Sequence, residues 1–476
     1  MRIPAPERGE WRHLYYREHA DAARGAEPLR FTEIFPLGQR GNFVRGKGFF
    51  MNVLVIGNGG REHAILLALK KSKRVQKLYC MKGNAGTAQI AENVDVDYMN
   101  IPAVVEYAKA HPEIDYYVVA PDDPLAIGLV DALEDIGKRC FGPRKNAAII
   151  EASKAFSKQL MKKYGIPTAE SEIFDDYESA LSYVREKGAP IVLKADGLAL
   201  GKGVLICNTL AEAEEGLKSI MLDKAFGSAG NRVVIEECMR GLKYTPGEEV
   251  SVLSFTDGKT IVPMITSCDH KRALDGDKGL NTGGMGTFAP CPFWTKELEE
   301  EVMNTIMIPT MNALNAEGRT FKGCLYFGLM RTDKGMKVVE YNSRFGDPET
   351  QVVLPMLKTD LMDIFEAVTD GRLADINIEW DKGACVCVVL ASGGYPSRYE
   401  KGKEITIGDV GDCQIVHAGT AIKDGKLVTG GGRVLGVVAK GADIEEARKK
   451  AYAAAKNISW DGMYYRSDIG IKYREG

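Results

Sequence analysis

"IVLKADGLALGKGVLIC", residues 191–207, decides how the chain is read. An apolar run ends in Lys194. Asp196, Gly197, Gly201, Lys202 and Gly203 follow, and a second apolar run begins. A P-loop is excluded: G-x-x-x-x-G-K-[ST] is absent and no helix follows directly. Strand, glycine loop, strand reads instead as a hairpin flap. Bare amides with one lysine at the base and another in the tip can close over a triphosphate. An ordinary glycine-rich hairpin seldom carries lysines in both places.

Working outward, "VVEYNSRFGDPETQ" (338–351) reads as a buried strand running into a polar cluster. Glu340 and Asn342 sit two apart and share a strand face. A strand end fraying into the turn Gly346-Asp347-Pro348 is one explanation. A metal site is the other, because Mg²⁺ takes one or two protein oxygens plus phosphate and water. "VLVIGNGGREHA" (53–64) puts glycines between a strand and a helix, where free amides and the helix dipole suit a phosphate. A dinucleotide fingerprint fails there: Glu62 stands where the third glycine belongs, and "KLYCM" ends without the ribose carboxylate. "VVIEEC" (233–238) offers Glu236 and Glu237 at a strand end, either an exposed acidic edge or one wall of an adenosine site. "DHKR" (269–272) and "NTGGMG" (281–286) add charge and glycine, with Asn281 and Thr282 opening what resembles a second anion cradle.

Strand and helix patterns alternate from Met51 to about 150, which means a parallel sheet with helices on its faces. A compact strand–helix unit follows, then longer strands with one long helical run, then a strand-rich region from about 380. A chain of 476 residues exceeds one ordinary core. The net charge of −3 gives no general attraction to nucleic acid or membrane. No apolar run reaches the roughly 20 residues that span a bilayer. The ten cysteines are scattered, without CxxC or zinc spacing, as in a reducing cytoplasm. Residues 1–50 are arginine-rich with a single lysine, Lys47, and lack the apolar core of a secretory signal. They read as a disordered extension ahead of the folded start.

The ordered set "GNGGREHA", "SKAF", "KADGLALGKGV", "VIEE", "GEEVS", "DHKR", "NTGGMG" and "EYNSRFGDPETQ" closely resembles the phosphoribosylamine–glycine ligase family of ATP-grasp enzymes, over residues 51–476. The resemblance implies a multidomain α/β and α+β fold. It divides into an N-terminal Rossmann-like domain (51–152), an ATP-grasp domain (153–378, lid about 171–241) and a small strand-rich C-terminal domain (379–476). It implies ATP-dependent ligation of glycine to 5-phosphoribosylamine through glycyl phosphate, in a cytoplasmic monomer that uses Mg²⁺ or Mn²⁺. By matching motifs, Glu340 and Asn342 hold the metal. Lys154, Lys194, Gly201, Lys202 and Gly203 meet the phosphates of ATP, Glu236 and Glu237 border the adenine, and Glu249 holds the ribose. Gly59, Gly60, Arg61, Glu62, Asp196, Asn281, Thr282, Gly283, Gly284 and Arg344 meet the substrates. Arg344, Lys194 and Asp269 serve the chemistry. Three departures bear on the detail: Ala120-Pro121-Asp122 where the family has Gly-Pro-Glu, Arg144 where it has serine, and the insertion 240–246. The insertion leaves Glu248 as an alternative to Glu249. The nearest rival is another ATP-grasp ligase or carboxylase.

The break in composition at Met51 carries a first prediction. Removing residues 1–50 leaves folding and ligase activity nearly unchanged. Circular dichroism and a turnover assay on the shortened chain check this; failure to fold, or loss of most activity, refutes it.

Overall fold

Strand β1 (Met51–Gly57) opens the fold, with Val53, Leu54, Val55 and Ile56 wholly buried. A strand apolar on both faces belongs inside a parallel sheet. In the computed structural model, which describes residues 50–198, 203–241 and 248–471, it lies there. β1, β2 (Val75–Lys82), β3 (Glu92–Val94), β4 (Tyr116–Val119) and β5 (Arg139–Phe141) run parallel in the order β3-β2-β1-β4-β5. The order reverses at β1. The loop after Gly57 therefore opens on the crevice where open α/β sheets take ligands.

Two helical runs are interrupted. Residues 125–137 divide at Gly128, whose φ of 99° ends helix Asp122–Ile127 before Leu129–Asp135 begins. Residues 151–165 divide at Ser153. Its hydroxyl accepts from Phe156 N (3.1 Å) and caps helix Lys154–Tyr164, so residues 151 and 152 end the preceding helix, Lys145–Ala152.

β6 (Ser171–Phe174), β7 (Ile191–Ala195), β8 (Val204–Cys207) and β9 (Val233–Glu237) form an antiparallel sheet, order β6-β9-β7-β8. Helices Tyr177–Lys187 and Leu210–Met221 give it a core of its own. The flap is a hairpin, with β7 paired to β8 from Ile191↔Cys207 to Lys194↔Val204. Gly201 and Lys202, in its tip, lie outside the described residues, as does most of the 240–246 insertion.

β10 (Glu248–Thr256) and β11 (Ile261–Pro263) begin the next layer. β12 (Cys268–Asp269), the hairpin β13 (Arg272–Leu274)–β14 (Lys278–Asn281) and β15 (Gly286–Ala289) follow, then the long hairpin β16 (Gly323–Thr332)–β17 (Gly335–Asn342). The sheet order β11-β10-β16-β17 faces the flap sheet through Lys194. β12 and β15 leave that sheet. β12 pairs with β15, β15 with β18 (Ala384–Ala391), β18 with Arg433–Gly441, and that last strand with Gln414–His417. The C-terminal sheet thus takes two strands from the middle of the chain.

A single extra residue shapes β17. Gly328 pairs with Glu340 and Leu329 with Val338, so Val339 is a bulge. Met336 and Val338 face the core before it, and Tyr341 faces the same core after it. The bulge exchanges the faces of the strand. Without it Glu340 and Asn342 would share the core-facing side with Val338. The same bulge leaves the Val339 carbonyl to accept from Lys194 Nζ at 3.1 Å.

Deleting Val339 should restore regular pairing with Glu340 and Asn342 still opposite Val338, but remove the carbonyl that holds Lys194, so activity and melting temperature should both fall. Val339→Ala keeps the bulge at a half-buried position and should cost less than about 1.5 kcal/mol. Thermal unfolding and turnover of the two variants test this; a deletion variant as stable and as active as the unaltered chain would refute a role for the bulge.

Candidate active site

The glycine turn after β1 is closed by its own glutamate. Gly59 N donates to Glu62 Oε2 (2.7 Å), and Glu62 Oε1 takes Arg61 Nε at 2.6 Å. Gly57, at φ 122°, leaves room for this: a Cβ there would lie 2.6 Å from Glu62 Cγ. Arg61 reaches across to the Phe345 carbonyl (3.4 Å), and helix Thr350–Val353 packs on helix Gly60–Leu69. The turn around Gly59 and the turn after β17 thus meet, though nearly 290 residues separate them.

Asp347 and Arg433 lock that seam. Asp347 Oδ2 takes Arg433 at 3.1 Å, and Gln351 Nε2 donates to Asp347 Oδ1 at 2.7 Å. Arg433 also donates to the carbonyls of Asp347 (2.8 Å) and Gly283 (2.6 Å). Gly283 N donates to the Tyr395 hydroxyl, and Gly284 N to the Thr282 hydroxyl. The amides of "NTGG" therefore hold their own loop in place, and Asn281 pairs across the hairpin with Arg272.

Arg344 sits beneath these turns. It pairs with Glu151 (3.0 Å), which also accepts from the amide and hydroxyl of Ser343, and it donates to Phe345 O at 3.3 Å. Its Nε is buried with no hydrogen-bond partner among the described residues. Burial opposes the charge, but Glu151 and Asp122 outweigh it and hold the guanidinium above its ordinary pKa.

The flap side is a lysine cluster. Lys194 Nζ pairs with Glu236 Oε1 at 2.9 Å and Lys158 Nζ with Glu236 Oε2 at 3.1 Å, all three buried. Desolvation pulls the Lys158 pKa down to about 8, with Glu236 acting against it. Lys154 donates to Gly197 O (2.9 Å), and burial lowers its pKa as well. Asp196 is committed elsewhere: Oδ1 accepts from the Ser153 hydroxyl and Ala155 N, both 3.0 Å, and fixes the helix that carries Lys154. Gly203 O accepts from Ala195 N at the base of the flap. Glu237 turns away to Lys337 (2.9 Å). Glu236 and Glu237 both border a cavity of about 330 Å³, lined also by Tyr183, Lys187, Cys238 and Met239.

Across β17, Glu249 pairs with Lys271 (2.9 Å) and lines a crevice with Ser251, Asp269, Tyr326 and Val339, whereas Glu248 pairs with Arg331. Desolvation works against the Lys271 ammonium, but Glu249 and Asp269 hold its pKa well above the ordinary value. One assembly thus gathers the glycine turn, Arg344, the lysines and the β17 face. Sequence reading missed Glu151, Lys158, Glu349 and Arg433 as members of it. Glu349 stood inside a quoted motif; the others carried no local signal.

A histidine pair closes the far side. His63 Nδ1 accepts from His417 N at 2.8 Å, so His63 is held neutral with its proton on Nε2. Burial, with His417 beside it, pushes its pKa down to about 3, and burial pushes His417 to about 4.

Models of the phosphoribosylglycinamide synthetase family match along the chain: the N domain over 51–151, the ATP-grasp (A) domain over 152–350 and the C domain over 385–472. The chain is 47% identical over 424 residues to the phosphoribosylamine–glycine ligase of Caldanaerobacter subterraneus subsp. tengcongensis, covering 89% of this chain and 100% of that one. It is 47% identical over 427 residues to the Salmonella typhimurium protein of the same name, covering 88% and 98%. The crystal structure of phosphoribosylamine–glycine ligase from Thermotoga maritima superposes with a TM-score of 0.76 at 36% identity, over 88% of this chain and 100% of that one. The biotin carboxylase domain of the Hydrogenobacter thermophilus 2-oxoglutarate carboxylase shares the fold, with a TM-score of 0.67 at 16% identity over 87% of this chain and 92% of that one.

The histidine pair sets an acid response. Unfolding lets both rings bind protons near pH 6.5, which the folded state refuses until about pH 3 to 4. Their contribution is complete above pH 6.5 and is lost as pH falls toward 4, by up to about 1.4 kcal/mol per pH unit for each ring. The drop in melting temperature from pH 7 to pH 5 should be smaller in His63→Asn than in the unaltered chain. Equal drops would refute the assignment.

Proposed function

The chain belongs to the phosphoribosylamine–glycine ligase family, and from that premise we propose how its residues divide the work. The reaction is ATP-dependent ligation of glycine to 5-phosphoribosylamine in purine biosynthesis. A carboxylate is a poor acyl donor because oxide is a poor leaving group. Transfer of the γ-phosphoryl group makes glycyl phosphate, and the amine then displaces phosphate to form the amide. Positioning and charge neutralisation supply most of the catalysis in such a transfer.

Lys154 and Lys194 serve the phosphates from the flap side, with Gly201, Lys202 and Gly203 closing from the tip. Glu236 and Glu237 border the adenine, and Glu249 takes the ribose hydroxyls. Asp269 acts by keeping Lys271 charged beside the transferring group. Arg344 takes the glycine carboxylate through its remaining donor. Gly59, Gly60, Arg61 and Glu62 receive the sugar phosphate. Asn281, Thr282, Gly283, Gly284 and Asp196 act on the substrates indirectly, by fixing the loops around them. Segment 171–241 is the moving lid, which excludes water from the acyl phosphate.

Glu340 and Asn342 suit a hard cation. Both offer oxygen, both stand on the face that the bulge turns away from the core, and Glu340 has no ion-pair partner among the described residues. They would hold Mg²⁺ or Mn²⁺, which would supply positive charge to phosphate oxygens. The ten cysteines form no disulfide, and no described helix is long and apolar enough to cross a membrane. Both facts support a cytoplasmic enzyme, and we take it to act as a monomer.

The observation that carries this division is the meeting of two phosphate-type sites at one arginine. Arg61, beside the Gly59 turn, contacts the Phe345 carbonyl, next in sequence to Arg344, and Lys194 reaches the Val339 carbonyl on the strand that leads into that turn. ADP should form rapidly only when ATP, glycine and phosphoribosylamine are all present, with glycinamide ribonucleotide identified by mass spectrometry. Alanine should be poorer by a factor of about 10 to 200, and more if its methyl group clashes. Equal use of alanine, or ADP release without the amine, would point to another ligase of this fold. Glu340→Gln and Asn342→Ala should each lower turnover by roughly 10² or more while leaving the fold intact. Near-normal turnover at limiting Mg²⁺ would sink the metal assignment.

A further inference from the structure

Glu349 has no part in the division of labour above. We propose that its carboxylate is the base that takes the proton from the amine of 5-phosphoribosylamine, an inference that rests on the ligase reading. In that step the C–N bond forms, the C–O bond to phosphate breaks and phosphate leaves with the electron pair. The attacking nitrogen then carries one proton too many. Unless a neighbouring group accepts it, the adduct collapses back by expelling the amine.

The geometry singles out Glu349. It lies five residues after Arg344 and two after Asp347, so it stands on the turn that joins the proposed glycine end to the sugar-phosphate end. Its side chain folds back over Gly346, where a Cβ would come within 2.4 Å of Glu349 Oε2. Oε1 is held by two hydroxyls, Tyr326 at 3.2 Å and Ser251 at 3.4 Å, themselves 2.8 Å apart. Both hydroxyls belong to residues lining the crevice with Lys271 and Asp269.

Three other carboxylates of the seam are taken. Asp347 has one oxygen on Arg433 and the other on Gln351. Glu151 is spent on Arg344 and Ser343, and Glu62 on Gly59 N and Arg61. Glu349 is anchored through one oxygen only, by neutral donors. Asp269 and Lys271 beside β12, Tyr326 on β16, Arg344 on the same turn and Arg433 from the C-terminal sheet are the charged and titratable groups acting on it. Desolvation and Asp269 raise its pKa to about 7, with Arg344 and Lys271 opposing. A base poised near neutrality is the strength that proton transfer at neutral pH favours.

The test is the pH profile of kcat/KM for phosphoribosylamine between pH 5.5 and 8.5, in the unaltered enzyme, Glu349→Gln and Glu349→Asp. The unaltered enzyme should gain activity as pH rises through about 7, because the base form appears there. Glu349→Gln should lose roughly 10²–10⁴ at pH 8, the usual worth of a general base, and should lose the acid limb while KM for ATP stays within about twofold. Glu349→Asp should keep a limb, displaced, with partial activity. A loss below about tenfold, or an acid limb that survives in Glu349→Gln, overturns the proposal. If circular dichroism shows that Glu349→Gln does not fold, the aspartate variant decides: an undisplaced limb overturns the proposal. An unaltered enzyme that makes no glycinamide ribonucleotide sinks the ligase reading instead.

Discussion

The bulge at Val339 interrupts the pairing of β16 with β17 and exchanges the two faces of β17 within one residue. The placement of Glu340 and Asn342 depends on that exchange. The first half of the strand buries Met336 and Val338, and the second half buries Tyr341 in the same core. Glu340 and Asn342 are thereby released from the core without the strand leaving the sheet. The unpaired carbonyl of Val339 in turn meets Lys194, which ties the flap sheet to the strand it serves. A regular strand cannot do both, because its side-chain period is fixed at two.

Around that strand the site is assembled from segments far apart in the chain, and buried ion pairs join them. Arg433 bonds Asp347 and Gly283, Arg344 bonds Glu151, and Glu236 lies between Lys194 and Lys158. Such pairs add little net stability, since the cost of desolvating both charges offsets most of the attraction. Their effect is geometric. Losing one partner strands a buried charge at a cost of about 3–5 kcal/mol, so the paired arrangement is strongly preferred over near alternatives. The loops that carry glycines are held at their places by side chains that themselves have little freedom.

How much of this was legible follows from the range of each interaction. β1, the flap hairpin and the motif around Glu340 were readable because local pattern and turn chemistry specify them. The direction in which Glu340 and Asn342 point was readable only as a shared face. Simple alternation would place them beside Val338, in the core, and the bulge that prevents this is set by pairing with β16. Lys158 reads as one more cation on a solvated helix face, and only the fold sets Glu236 against it. The amides of Gly283 and Gly284 looked open to an anion, yet Tyr395 and Thr282 occupy them. Tyr395, Arg433 and His417 all come from the C-terminal region, and nothing local to them says that they reach Gly283, Asp347 and His63, which lie 112, 86 and 354 residues upstream of them respectively. The entry of β12 and β15 into that sheet is equally a matter of long-range pairing.

The charge distribution is also uneven in a way that favours ligands of one sign. Lys154 has a carbonyl for its partner and a pKa lowered by burial. Lys194 and Lys158 share one carboxylate between them. Arg344 keeps a buried N–H with no hydrogen-bond partner among the described residues, and an unmade bond of that kind costs about 1–3 kcal/mol. A polyphosphate beside the lysines would restore the charge that burial opposes on Lys154, and a small carboxylate at Arg344 would complete a donor that the protein leaves over. Each anion thus removes a cost already present in the folded protein. Under the proposed assignment, the discrimination of a molecule as small as glycine would rest on the space around Arg344, and the attraction on the arginine itself.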